Sequence, residues 1–372
     1  AMVDTQARYG NPSATYAEGR QAREVFELAK KRIGMVLAAR ADEIIITSGA
    51  TESDNLAILG AVRPQIRNGA HVVTLPTEHQ SVLGPIKQLE REGAVVSYAK
   101  VDGGGVVDLV DLRNQIGEST VLVSIAYASS EIGTVQPLTK VGQLVGEIVK
   151  SRVERGSTTP LLLHSDCSAV AGLLPLSPAR LGVDLLTLNA SKLYGPHNSG
   201  ILYVRQGTAV TMQPFVFGGG QQHGLRPGTE DVVGAIGMAT ALEIAEQMRA
   251  DEVDRLEALQ GILLEGLNAL SPACLLNGDP KHRLANSINI TFPGVNGEDM
   301  VAHFDAHGFA VATGAACAAS NEQPSHVLLA IGRSAPEAQS SLRITLGRQT
   351  TKADIQDFLA TAKQVLADLA RM

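Results

Sequence analysis

Two side chains of opposite charge stand where short apolar runs give out. In Val183 to Arg205 (VDLLTLNASKLYGPHNSGILYVR) the alternating residues Asp184 to Leu188 read as a buried strand, Asn189-Ala190-Ser191 break it, and Lys192 follows at once. Small neighbours and the Gly195-Pro196 turn before a second strand, Ile201 to Val204, leave room to desolvate that amine partly and make it a nucleophile toward carbonyls. Taken alone, a strand-end lysine is usually a solvated surface group. Asp166 ends another apolar run, Leu161 to Val170 (LLLHSDCSAV), 26 residues earlier. An Asp and a Lys at the ends of neighbouring strands suit pyridoxal phosphate: the lysine takes its aldehyde, and the carboxylate keeps the pyridine nitrogen protonated so that the ring accepts electrons. The plainer reading of Asp166 is a turn residue.

A third cue is Ser48-Gly49-Ala50-Thr51-Glu52, which joins a strand to a helix. Backbone N–H groups of Ala50 and Thr51 would face outward at the positive end of the helix dipole, with the Thr51 hydroxyl beside them, as an anion cradle or simply as an N-cap.

These residues need a sheet to hold them. Strands are expected at Ile44–Thr47, His71–Leu75, Val95–Ala99, Thr120–Ala126, Leu161–Ser165 and Asp184–Leu188. Helices are expected at Ala17–Leu37, near Ser53–Ile66, Gly84–Arg91, Leu109–Ile116 and Leu138–Arg155, the first with Val25, Leu28, Ala29, Ile33 and Val36 on its apolar face. Several strands are continuous apolar runs, the mark of a mainly parallel α/β sheet covered on both faces. A helical stretch from Val232 to Leu270, interrupted near Ala250–Glu252, leads into strand Ser287–Phe292, helix Glu298–His307, strand Phe309–Ala312, helix Ser325–Ile331, strand Leu342–Thr345 and helix Lys352–Met372. The pattern gives a large α/β domain over 1–250 and a smaller α+β domain over 251–372.

The 372 residues suit two domains, and 44% apolar content allows a sizeable core built on Leu, Ile, Val and Ala, since Trp is absent. A net charge of −7 with no basic run argues against nucleic acid as a partner. No apolar run is long enough to cross a bilayer and no secretory pattern opens the chain, so a cytoplasmic protein is expected. Three cysteines, Cys167, Cys274 and Cys317, make neither a disulfide framework nor a metal-ligand pattern, which points to thiol chemistry in a reducing compartment.

Seven segments in order, EIIITSGATESDNLAI, TEHQSV, EIGTVQP, the lysine segment, FGGGQQHGLRPGT, TGAACAASNEQPSHVL and SLRITLGRQT, make the chain resemble the cysteine desulfurases over nearly its whole length. The resemblance, shared with selenocysteine lyases, implies a fold type I pyridoxal 5'-phosphate enzyme of class V with a seven-stranded sheet. It implies that Lys192 carries the cofactor, Asp166 holds the pyridine nitrogen, and His79 lies on the ring and helps move protons. Ala50, Thr51, Ser191 and Thr229 of the partner subunit would hold the phosphate, and Ser130 would lie near the ring oxygen. Arg343 would grip the substrate carboxylate as a bidentate fork, a structural salt bridge being its plainer role. Cys317, among small residues in ATGAACAASNEQP, would take sulfur from L-cysteine as a persulfide and pass it to an acceptor such as an iron–sulfur scaffold. Cys167 and Cys274 read as packing residues. A homodimer is implied, and no metal.

Four features depart from the family. The opening AMVDTQARYGNPSA has no match to the expected D-x-x-A-T-T-P segment; Ser129-Ser130-Glu131 replaces Asn-Asn-Glu; Ala169 stands where Gln is expected after Asp166; and Ser191 replaces the histidine before the lysine. Ala169 donates no side-chain hydrogen bond, a loss of about 1 kcal/mol, so a bound cofactor with altered visible absorption is expected. Selenocysteine lyase activity, and a weakly active cofactor-binding scaffold, are the alternatives to desulfuration.

Overall fold

The computed structural model describes residues 1–7, 9–271, 273–314 and 323–369; Cys317 lies outside them. The chain forms two compact units. One comprises Ala1–Lys100, Leu109–Tyr127 and Pro137–Arg249, the other Val101–Asp108, Ala128–Gln136 and Ala250–Met372.

The first unit begins with helices α1 (Met2–Gln6) and α2 (Ala17–Leu37). It continues with β1 (Ile44–Thr47), α3 (Ala50–Val62), β2 (His71–Thr74), α4 (Gln80–Arg91), β3 (Val95–Tyr98), α5 (Leu109–Gln115), β4 (Thr120–Ser124), α6 (Leu138–Glu154), β5 (Leu162–Asp166), α7 (Pro178–Leu181), β6 (Leu185–Asn189) and β7 (Gly200–Val204). Among the described residues these strands make a seven-stranded sheet in the order β1-β7-β6-β5-β4-β2-β3. The pairs β6/β5, β5/β4, β4/β2 and β2/β3 are parallel, whereas β7 is antiparallel to both β1 and β6, so β7 alone runs against the rest. This is the mainly parallel, seven-stranded sheet expected from the sequence. It brings the carboxyl ends of β1, β2, β4, β5 and β6 to one edge, where open α/β sheets bind ligands.

Burial explains the elements. β1, β2, β4 and β7 are buried at every position, and α3 is buried almost all round, its Leu56, Ala57 and Ile58 packing with Ile45, Val72, Val82 and Leu202. In α2 the buried stripe is Ala22, Phe26, Ala29, Ile33 and Leu37. The expected face through Leu28 is corrected, since Leu28 is 50% exposed; rotating the stripe buries Phe26, the bulkiest side chain available. The helix expected over Ser53–Ile66 starts earlier, at Ala50, and passes into a 3-10 turn at Arg63–Asn68, where Pro64 has no N–H for the α pattern.

Helix α8 (Val232–Leu270) is continuous, which corrects the expected interruption near Ala250–Glu252. The stretch holds no Gly or Pro to break the helix, and i,i+3 pairs Arg249–Glu246 and Arg255–Glu252 flank it.

The second unit then adds β8 (Leu275–Asn277), β9 (Ser287–Thr291), α9 (Gly297–Ala306), α10 (His326–Ala330), α11 (Ala335–Gln339), β10 (Ser341–Thr345) and α12 (Lys352–Leu369). Its antiparallel sheet has the order β10-β9-β8. The strand expected at Phe309–Ala312 is reduced to one bridge, Ala312 with Arg343, because Phe309 packs edge-on against Phe358 at 5.3 Å. No helix among the described residues is long and apolar enough to cross a membrane.

Candidate active site

At the end of β1 the chain turns through Gly49 into α3. Gly49 has φ +144° with ψ −178°, a conformation open in practice only to glycine. The turn lies hard against β7: a Cβ at Gly200 would stand 2.6 Å from the Gly49 Cα and 2.7 Å from the Leu188 carbonyl. Ala50 and Thr51 are the first helical residues, and the first-turn amides of an α-helix precede any intrahelical acceptor. They form an anion cradle of the kind helix N-termini provide. Thr51 is exposed, on a cavity of about 610 Å³ that is also lined by Ser48, Glu52, Asn55 and Arg226. Burial opposes ionisation of Glu52, but hydrogen bonds from Arg226 Nε (2.9 Å) and the Ser48 amide (2.6 Å) hold its carboxyl below the usual range.

Lys192 lies on a 3-10 turn, Ala190–Leu193, just past β6. The Asn189 side chain accepts from the Ser191 amide at 3.2 Å, and the chain leaves the turn through Tyr194 at φ +59°. Contrary to the desolvation expected, Lys192 is exposed, because the turn lifts it clear of the buried strand. Asp166 closes β5, the neighbour of β6, so the two groups of the expected pair share one sheet edge. Its Oδ1 accepts the Ser168 amide at 2.8 Å. Burial and the charge of Asp54 push the Asp166 carboxyl up to about 7.

His79 caps α4 half-buried, its Nδ1 2.7 Å from Ser81 Oγ and 3.1 Å from the Ser81 amide. Ser81 Oγ donates to Asp54 Oδ2 at 2.6 Å, and Asp54 Oδ1 lies 3.5 Å from Nε2 of the buried His164. Glu78 Oε1 accepts the Ala126 amide at 2.9 Å. Burial, with Asp166 and Asp54 adding like charge, pushes its carboxyl up to about 8. The expected list missed this cluster of Asp54, Glu78, Ser81 and His164. One signal was available: Asp54 falls inside a helix whose other buried positions are almost all apolar.

These residues fit pyridoxal phosphate. A carboxyl raised toward neutrality by its burial and then by the charge of Asp54 gains from a cationic ring nitrogen, the cradle offers amides to a phosphate, and Lys192 offers its amine at the same edge. Thr229 is exposed on the loop before α8. Cys167 is buried, and burial drives its thiol far above the thiol range, so it suits packing rather than chemistry.

The second unit holds the other expected residues. Arg343, on β10, is half-buried and pairs in register with Asn289. It donates to the carbonyl of the exposed Ser130 at 3.3 Å. Buried Glu131 accepts from the Ser325 hydroxyl, and its backbone carbonyl takes the Asn289 amide at 3.2 Å.

The family model for class-V aminotransferases matches residues 2–358. Cysteine desulfurase IscS 1 of Archaeoglobus fulgidus is 38% identical over 98% of this chain and 91% of its own. The chain belongs to the cysteine desulfurase family. Another cysteine desulfurase, from Dictyoglomus turgidum, is 38% identical over 97% of this chain and 89% of its own. Among solved structures, a NifS-like protein superposes with a TM-score of 0.88 at 31% identity, covering 99% of this chain and 94% of that one. SspA in complex with cysteine superposes at 0.77 with 29% identity, over 93% and 94%.

Proposed function

We propose that this protein is a pyridoxal 5'-phosphate-dependent cysteine desulfurase, which converts L-cysteine to L-alanine and passes the sulfur through Cys317 to an acceptor protein. The observation that carries this reading is that Asp166 is the last residue of β5 and Lys192 lies on the turn just past the adjacent β6. Relatives named as cysteine desulfurases and a similar structure holding cysteine support the substrate.

The bound cofactor supplies an electron sink that makes the substrate's α-proton and C–S bond labile. The remaining work falls to the chain. The Ala50 and Thr51 amides, with Ser191 and Thr229 of the partner subunit, would hold the phosphate; Asp166 would keep the ring nitrogen protonated; His79 would stack on the ring and help move protons; and Ser130 would be a polar partner for the ring oxygen. Arg343 takes the substrate carboxylate in a two-point grip. Lys192 Nζ removes the α-proton and later returns it. The Cys317 thiolate attacks the substrate sulfur, so an S–S bond forms as the C–S bond breaks. Carbon keeps that electron pair and takes a proton to become alanine. The persulfide then goes to an acceptor, an iron–sulfur scaffold on the family's pattern, from a homodimer in the cytoplasm.

The test is alanine and persulfide formation from L-cysteine by the purified holoprotein. Lys192→Ala should abolish both and Cys317→Ser should abolish the persulfide; a wild-type protein that releases no alanine overturns the proposal.

A further inference from the structure

Hydrogen counting around Ser81 limits what His79 can be. The Ser81 hydroxyl has one hydrogen, directed to Asp54 Oδ2 at 2.6 Å. Its oxygen is then only an acceptor toward His79, whose Nδ1 stands 2.7 Å away. A contact that short between a ring nitrogen and an accepting oxygen requires Nδ1 to carry the proton. The Ser81 amide approaches the same nitrogen at 3.1 Å, an arrangement that would require an unprotonated Nδ1. The two are mutually exclusive, and the hydroxyl contact is the shorter by 0.4 Å, 2.7 against 3.1 Å.

We propose that Asp54, acting through Ser81, is a positioning residue that holds His79 as the Nδ1–H tautomer and leaves the Nε2 lone pair as its basic face. Asp54 is fully buried on α3, between Ser81 of α4 and His164 of β5. His164 Nδ1 lies 2.9 Å from Ser124 Oγ and its Nε2 3.2 Å from Thr187 Oγ1, so the imidazole 3.5 Å from Asp54 Oδ1 is itself anchored in the sheet. A buried acid that takes the Ser81 hydrogen on one oxygen does more than pack: it fixes which ring nitrogen of a half-buried histidine can accept a proton. A histidine able to flip between tautomers would present an acid or a base to the same substrate atom.

The inference rests on the proposed function only for what His79 does in turnover; the tautomer is measured without turnover. Nitrogen-15 spectra of histidine-labelled holoprotein, with the His79 signals assigned by their loss in His79→Gln, should show a protonated Nδ1 and an unprotonated Nε2. Ser81→Ala should move the population to the Nε2–H form or to a mixture, and Ser81→Thr, which restores a hydroxyl, should return it. Asp54→Asn should act as Ser81→Ala does; should that variant fail to fold, the serine pair still decides. In Ser81→Ala and Asp54→Asn the turnover number with L-cysteine should fall about 10- to 100-fold with little change in KM, the range lost when a general acid–base is poorly poised, and Ser81→Thr should recover it. An Nε2–H His79 in the wild type, or a tautomer indifferent to Ser81→Ala, overturns the proposal whether or not the protein is a desulfurase.

Discussion

The two ends of the proposed cofactor site are built in opposite ways. The phosphate cradle is local: Ser48 to Thr51, one glycine conformation and the start of one helix make it. The ring end is assembled from distant segments, with Asp54 and Ser81 27 residues apart and His164 a further strand away. The cradle works through amides that every helix start possesses, whereas the ring end confines Asp54, Glu78 and Asp166 in one region and raises two of them toward neutrality. The contrast teaches that binding is cheap to encode locally, while proton control at the ring depends on the fold as a whole.

The largest effect expected comes from removing the charge at the ring end. Asp166→Asn should weaken cofactor affinity about 10- to 100-fold, since a charge-assisted bond contributes about 1.5–3 kcal/mol. Equilibrium titration followed in the visible range checks it; unchanged affinity would erase the difference between the two ends. Next is Gly49→Ala, which forces a side chain into backbone space that costs about 1–3 kcal/mol. It should lower cofactor affinity with the visible band position unchanged, because only the phosphate end is disturbed.

A smaller, diagnostic effect lies in pH. In the unfolded chain both acids ionise near their ordinary values of 3.8 and 4.5, whereas the folded protein holds Asp166 protonated to about 7 and Glu78 to about 8. Between those limits the native state binds more protons, so their contribution is favourable at low pH and is lost as pH rises toward 8. Thermal unfolding of the cofactor-free protein should show a melting temperature that declines over that window, and Glu78→Gln should flatten the decline. A flat wild-type profile would mean that the acids do not share one buried region.

Legibility followed the same division. Helix Ala17–Leu37 and strand Ile44–Thr47 could be read to the residue, because apolar periodicity is local information. The Asp166 and Lys192 strand ends were legible for the same reason. The reading failed where non-local packing or charge decided: the rotated face of α2, the unbroken α8, and the single bridge at Ala312. Asp54 was passed over because nothing in its own neighbourhood announces Ser81 or His164.

The central claim is that the amine of Lys192 and the carboxylate of Asp166 hold opposite ends of one aromatic aldehyde. Borohydride reduction of the purified holoprotein, followed by peptide mass analysis, tests it most directly. The account predicts one pyridoxyl phosphate adduct, on Lys192, with the visible band bleached; an adduct on another lysine, or none, would contradict it.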